Sequence, residues 1–202
     1  MFSQWCLQVR PALKSSWNRP KLISMENQIE EFTISVFTEN QAGLVQRVVT
    51  VFTRRHINID SLTTSKSSIE GIHRFTIVIR VAENQVKKLV AALDKQIDVI
   101  KAFYYKNQEV VYQEIALYKI PTQAFAFGDE MEQLIRSHNA RILSIEPEYI
   151  VVEKTGYQEE TEALLKELEK TGIYEFVRSG RVAIAKTMEP LNKYLQSIAT
   201  EV

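Results

Sequence analysis

The chain has 202 residues, 45% apolar and 25% charged, with only 6 Gly and 5 Pro, which is the composition of one or two packed domains and excludes disorder and collagen-like repeats. Lys plus Arg and Asp plus Glu both number 25, so the molecule as a whole lacks the basic excess that holds a nucleic-acid backbone. One cysteine, Cys6, excludes an internal disulfide; no Cys/His set has metal-ligand spacing, and no run approaches the ~20 apolar residues of a membrane span.

The neutral total hides an asymmetry. Residues 1–24 carry Arg10, Lys14, Arg19 and Lys21 and no Asp or Glu, so subtracting these four cations from a net charge of 0 leaves −4 on the rest. Trp5, Trp17 and Cys6 lie in this stretch, which has neither helical nor strand periodicity. Residues 1–28 therefore read as a basic extension, disordered or untranslated ahead of a start at Met25. An organelle-targeting leader is the alternative.

In chain order, Ile29–Thr38 alternates as a strand, with Phe32, Ile34 and Val36 on its apolar face and Thr33, Ser35 and Phe37 on the other. The turn cluster 39–43 leads to a helical stripe of Leu44, Val48, Val51 and Phe52, ending near His56. Ile57–Thr64 reads as a second strand, joined by the turn 65–71 to a third carrying Phe75, Ile77, Ile79 and Val81. Asn84 caps a helix whose inward face is Val86, Leu89, Val90, Leu93 and Ile97, and Val99–Tyr105 closes the set.

The second half repeats this order. Val110–Ile120 alternates; Met131, Leu134, Ile135 and His138 stripe a helix over 129–138; and Ile142–Ile145 and Tyr149–Val152 form a hairpin around Pro147. A helix over Gln158–Lys170 buries Ala163, Leu164, Leu165 and Leu168, with Gly172 as its C-terminal stop and Ile173–Val177 and Val182–Ala185 as last strand segments. Residues 188–202 are a tail. The class is α+β: two ferredoxin-like βαββαβ domains, 29–107 and 108–187, each a sheet with helices on one face.

The residues offer no catalytic apparatus. There is no Gly-rich phosphate loop, Ser/His/Asp order or carboxylate pair, and His56, His73 and His138 are scattered. The Glu-rich helix around Glu162 is interleaved with Lys166 and Lys170, as a solvated face is. The informative stretch is 38–44. A helix N-terminus presents unpaired N–H groups and partial positive charge, enough to hold a carboxylate. Gly43 allows close approach, and Asn40 and Asn58 offer amides to orient a small amino acid. By spacing alone, these three serve equally well as turn and stop residues.

The run Glu39-Asn40, Gly43-Leu44-Val45, Arg47-Val48, Phe52, Arg54-Arg55 and Asn58-Ile59-Asp60-Ser61-Leu62 resembles the N-terminal ACT domain of the small, regulatory subunits of acetolactate synthase, also called acetohydroxyacid synthase. Val111–Ile120 and Arg178-Ser179-Gly180 resemble the opening strand and closing motif of that family's second domain, so the resemblance spans about residues 29–187. It implies a non-catalytic, cytoplasmic protein that activates a large catalytic subunit and confers feedback inhibition by valine or another branched-chain amino acid. Thiamine diphosphate, Mg and FAD are then expected in the large subunit and no cofactor in this chain. It further implies a homodimer through the ACT domain, with the effector at the seam on Asn40, Gly43, Leu44, Asn58 and Ile59. Leu44 stands where the family often has Val or Ala, and Asp60 where it has Glu.

Other readings of the same fold class are an amino-acid sensor for a different enzyme, an acylphosphatase-like enzyme and an RNA-recognition domain. The enzyme needs an Arg in the first loop, and residues 39–43 contain none. The RNA reader needs several aromatics on its central strands, and 71–81 offers only Phe75.

Overall fold

The computed structural model describes residues 28–125 and 129–187. The basic leader, with its tryptophans and cysteine, and the 188–202 tail lie outside them.

The first unit is β1 (Ile29–Glu39), α1 (Leu44–Thr53), β2 (Ser61–Lys66), β3 (Ile72–Ala82), α2 (Glu83–Leu93) and β4 (Val99–Lys106). Its antiparallel sheet has the order β2-β3-β1-β4. The second is β5 (Val110–Pro121), α3 (Asp129–Ser137), β6 (Arg141–Ile145), β7 (Tyr149–Gly156), α4 (Gln158–Glu169), β8 (Glu175–Arg178) and β9 (Val182–Ala185). Its order is β6-β7-β5-β8, with β9 also on β5, so both halves share the split-βαβ topology expected from the alternation of periods.

In the first unit Phe32, Ile34 and Val36 of β1 and Phe75, Ile77 and Ile79 of β3 meet Leu44, Val48 and Phe52 of α1 and Val86, Leu89 and Leu93 of α2 in one buried cluster. Each such side chain contributes about 1.5–3 kcal/mol by leaving water. The second core joins Ala116, Tyr118 and Ile120 to Met131, Ile135, Val152, Leu164 and Leu168. There the Tyr118 hydroxyl donates to the Thr161 carbonyl at 2.6 Å, and burial pushes its pKa up to about 12.

Several expectations are corrected. Ile97 is 99% exposed, because α2 stops at Leu93 and the following turn no longer follows a 3.6-residue period. Ala163 is exposed, since the inward line of α4 is Thr161, Leu164 and Leu168, one step around the helix. The second strand starts at Ser61 rather than Ile57. The helix α1 ends at Thr53 and closes in a Schellman turn: His56 sits at φ 53 and donates to the Thr53 carbonyl, while the Ile57 N–H reaches the Phe52 carbonyl. Gly172, at φ 90, ends α4 as expected.

The main correction concerns β1. Alternation predicts one solvated face, yet Thr33 and Ser35 are buried because the second unit covers that side of the sheet. On β5 the residues Val110, Tyr112 and Glu114 turn toward the first unit, and Ala116, Tyr118 and Ile120 lie on the same side of the strand under α3 and α4. Opposite β5, Arg178 pairs with Ala116 and Val182 with Gln113, so Glu114 and Ile115 face three residues, Ser179, Gly180 and Arg181. This bulge splits the last strand. A Cβ on Gly180 would fall 2.2 Å from Thr63 Oγ1 and 2.9 Å from Ser61 Oγ, so only glycine seats the bulge on β2.

Beside it, Arg181 is 2% exposed. Its guanidinium donates to Glu31 Oε1 at 2.7 Å, Thr33 Oγ1 at 3.0 Å and Asn107 Oδ1 at 3.1 Å, lies 3.6 Å from the Tyr112 ring centre, and its backbone N–H donates to Ser61 Oγ at 3.3 Å. Arg74 adds a second tie, donating to Ser35 Oγ at 3.0 Å and to the Ala183 carbonyl at 2.7 Å.

Replacing Arg181 with Ala takes a donor from Glu31, which keeps Arg80 and Asn107, and from Thr33 and Asn107, so denaturant unfolding should show a loss of about 1–3 kcal/mol. The nearby carboxylates have opposite pH behaviour. Burial works to raise the Glu31 carboxyl, but hydrogen bonds from Arg181, Asn107 and Arg80 outweigh it and hold the pKa below the ordinary 4.5. Glu31 therefore contributes stability above pH ~4.5 that is lost as the pH falls through its lowered folded value. Glu114 is raised, chiefly by burial, and opposes folding once ionised. The variant Glu114→Gln should match the parent below pH ~4.5 and exceed it in melting temperature as the pH rises through the folded value of Glu114.

Candidate functional site

The β1–α1 turn is the distinctive backbone feature of the first unit. Gly43 caps α1 at φ 80, ψ 0, a left-handed conformation that strains other residues, and its carbonyl accepts from the Arg47 N–H at 3.3 Å. No side chain caps this helix and its first turn holds no acid, leaving the N–H groups and the positive end of the dipole open. The other three helices among the described residues carry acid in the first turn: Glu83 in α2, Glu130 in α3, and Glu159 and Glu160 in α4.

Asn40 stands beside this terminus, exposed, its backbone N–H donating to the Gly71 carbonyl at 3.0 Å. With Lys66, Ser67, Ile69 and His73 it lines a cleft of about 350 Å³ between the turn and the tip of the β2–β3 hairpin. The Glu39 N–H donates to the Asp98 carbonyl at 3.2 Å, and the Asp98 carboxylate is paired with Arg47, which ties the base of the turn to the α2–β4 connection and to α1. A carboxylate against the helix end and an ammonium against the Asn40 amide are the contacts this arrangement offers.

The predicted residues do not all converge. Leu44 is 5% exposed and its side chain is in the core, so only its backbone faces the turn. Ile59 is half-buried against the same core. Asn58 is exposed at the opposite end of the unit: Asp60, two residues on, donates to the Val78 carbonyl, whereas Asn40 is anchored at Gly71. Seven residues of β3 at ~3.3 Å each separate these anchors by roughly 23 Å. No single amino acid touches Asn40 and Asn58 of one chain.

The tie between the units was missed by sequence reasoning. Glu31, Thr33, Asn107, Gly180 and Arg181 are far apart in sequence, and the only signal was a cation following Arg178-Ser179-Gly180 in an otherwise apolar strand pattern. Among the described residues, no group of three His, Cys, Asp or Glu is placed to hold a metal, and no helix is long and apolar enough to cross a membrane.

A family model described as an AHAS small subunit-like ACT domain matches residues 34–101, and one described as the small subunit of acetolactate synthase matches residues 113–187. The acetolactate synthase small subunit of Bacillus subtilis is 36% identical over 154 residues, 76% of this chain and 89% of that protein. The corresponding protein of Mycolicibacterium smegmatis is 33% identical over 162 residues, covering 80% and 95%. The crystal structure of the acetolactate synthase small subunit from Thermotoga maritima superposes with a TM-score of 0.73 at 25% identity, over 80% of this chain and all of that one. With both domains matched in order and relatives above 30% identity along nearly their whole length, the chain belongs to the acetolactate synthase small-subunit family, regulatory subunits built on ACT-type domains rather than on a catalytic fold.

Proposed function

We propose that this chain docks on the large catalytic subunit of acetolactate synthase, raises its activity, and makes it sensitive to valine or another branched-chain amino acid in valine, leucine and isoleucine biosynthesis. The condensation of pyruvate with a 2-oxo acid, and the thiamine diphosphate, Mg and FAD, belong to that partner. The observation that carries the effector part is the separation of Asn40 from Asn58 along β3. A site using both needs two copies of the chain.

The geometry of β2 supplies a way to bring them together. Among the described residues it is an edge strand bonded only to β3, with an open ladder along its other side. A second copy running antiparallel along that edge sets its Asn58 end beside the Asn40 end of the first, and the two-fold axis creates two equivalent seams. At each seam the effector carboxylate takes the N–H groups after Gly43, and its ammonium takes the Asn40 carbonyl. The amide of Asn58 from the second copy closes the other side. Because the effector touches both copies, its binding energy favours one dimer geometry, and the large subunit responds to that geometry.

In a holoenzyme reconstituted from both subunits, Asn40→Ala or Asn58→Ala should weaken valine inhibition by about 1–3 kcal/mol, roughly 5- to 150-fold in concentration, while activation survives. Full valine sensitivity in both variants would remove these residues from the site. Failure of the chain to bind or activate the thiamine-diphosphate subunit would favour a sensor for a different enzyme.

Mixing the two variants probes the seam directly. A dimer of one Asn40→Ala chain and one Asn58→Ala chain has one doubly altered seam and one intact seam. Calorimetric titration with valine should therefore show one more high-affinity site per mixed dimer than per dimer of either pure variant. A site contained within one chain recovers none on mixing.

A further inference from the structure

Between the two units lies a cleft of about 610 Å³, within the range of small-molecule sites and away from the β1–α1 turn. Three cations line it, Arg80, Arg178 and Arg181, against three carboxylates, Glu31, Asp60 and Glu114. Most of these are satisfied by each other: Arg181 by Glu31 at 2.7 Å, and Arg80 by Glu31 at 3.1 Å and Asp60 at 3.4 Å.

Glu114 is the exception. Its side chain is 6% exposed, it accepts no hydrogen bond among the described residues, and its nearest cations are Arg178 Nε at 3.4 Å and Arg181 Nε at 3.9 Å. The Nε of Arg181, on a side chain 98% buried, likewise has no hydrogen-bond partner. Buried charges are ordinarily both paired and hydrogen-bonded, so a carboxylate and a guanidinium N–H left short at the wall of a cavity mark a place prepared for another polar group.

We propose that this cleft binds a free α-amino acid, independently of the seam. A purely anionic ligand would meet three carboxylates and a purely cationic one three guanidinium groups, whereas a zwitterion adds one charge of each sign to a lining that already balances. Its ammonium and carboxylate are held on one carbon. Glu114 and Arg178 are adjacent in the same way, with Arg178 only loosely held by Glu162 at 3.3 Å on its other side. The ammonium binds Glu114, the carboxylate binds Arg178, and Phe176 supplies an apolar wall for a small aliphatic side chain. Ser61 comes from β2 and Phe176 from β8, so an occupant touches both units at the bulge that joins them.

The test uses the full chain carrying both Asn40→Ala and Asn58→Ala, which removes the seam contacts, with L-valine, L-leucine, L-isoleucine and L-alanine as probes in equilibrium dialysis and ligand-observed NMR. At least one probe should bind at one per chain. Adding Glu114→Gln, which keeps shape and removes charge, or Arg178→Gln should weaken it about tenfold or more. Thermal melts establish that each variant is folded, and succinate should not compete. Binding of none of the probes, binding indifferent to both Gln substitutions, or succinate binding as well as the amino acid would each overturn the proposal, the last by marking an anion site. On the otherwise unaltered chain, Glu114→Gln should leave the seam titration intact, so failure here and failure of the seam reading are separate results.

Discussion

The arrangement of the two domains depends on one buried guanidinium. Arg181 is withdrawn from water at a cost that its contacts must offset, and the structure surrounds it with a carboxylate, a hydroxyl, an amide carbonyl and a tyrosine ring. Glu31 and Thr33 come from β1, Asn107 from the connection after β4, and Tyr112 from β5, so the cation is a common partner for three segments. It is delivered by a one-residue bulge that works because Gly180 has no side chain to strike β2. Were these residues paired regularly without the bulge, the register after them would slip by one and turn the following side chains to the other face.

This attachment determines how the first sheet is used. One face packs α1 and α2, the other lies partly under the second unit, and β4 is covered by α2. Among the described residues the outer ladder edge of β2 is left unbonded, and Asn40 and His56 in the turns at the two ends of α1 are exposed. Those are the parts from which a regulatory seam can be made. They are also mechanically close to the domain junction, because Ser61 on β2 accepts the Arg181 backbone N–H and Thr63 lies against Gly180. In the proposed dimer, a shift of the β2 edge on effector binding would displace groups that touch the staple directly. Coupling across this fold requires no long chain of contacts, only two stable positions for one edge strand.

The topology was legible because periods of 2 and 3.6 alternate cleanly over both halves: Phe32-Ile34-Val36 and Phe75-Ile77-Ile79 could only be strands, and Val86-Leu89-Val90-Leu93 only a helix. The exposed turn at Asn40 and Gly43 was legible for a related reason, since a helix start without a capping side chain or an acid is a local feature. What escaped was non-local. Thr33 and Ser35 look like a solvated face, and nothing near them in sequence reveals the covering strand 150 residues later. Ile97 and Ala163 fail because a stripe read one residue too far carries no sign of where the helix stops or how it is rotated. The resemblance makes Leu44 a pocket residue, but the first turn of a helix points its apolar side chain inward as soon as the helix packs. Asn58 was placed correctly after the helix, and its separation from Asn40 became visible only once both were anchored on the same strand.

Two units of one topology make the divergence between them instructive. In α3 and α4 carboxylates occupy the first turn, which stabilises the positive end of the helix dipole internally, and in α4 Glu160 also accepts the Tyr157 backbone N–H at 2.9 Å. In α1 that stabilisation is absent, costing the folded chain some tenths of a kcal/mol up to about 1 kcal/mol. A duplicated fold has a ready remedy, because an acid at position 44, 45 or 46 would recover it. Any such acid would also fill the place of a ligand carboxylate and repel it. Gly43 adds to the same side of the balance, since a glycine with no neighbour within 4 Å of where its Cβ would lie has been kept for its backbone and not for lack of room. Local stability forgone at one helix start, and retained at the corresponding start in the other domain, is what the proposed effector site requires of α1 and does not require of α3.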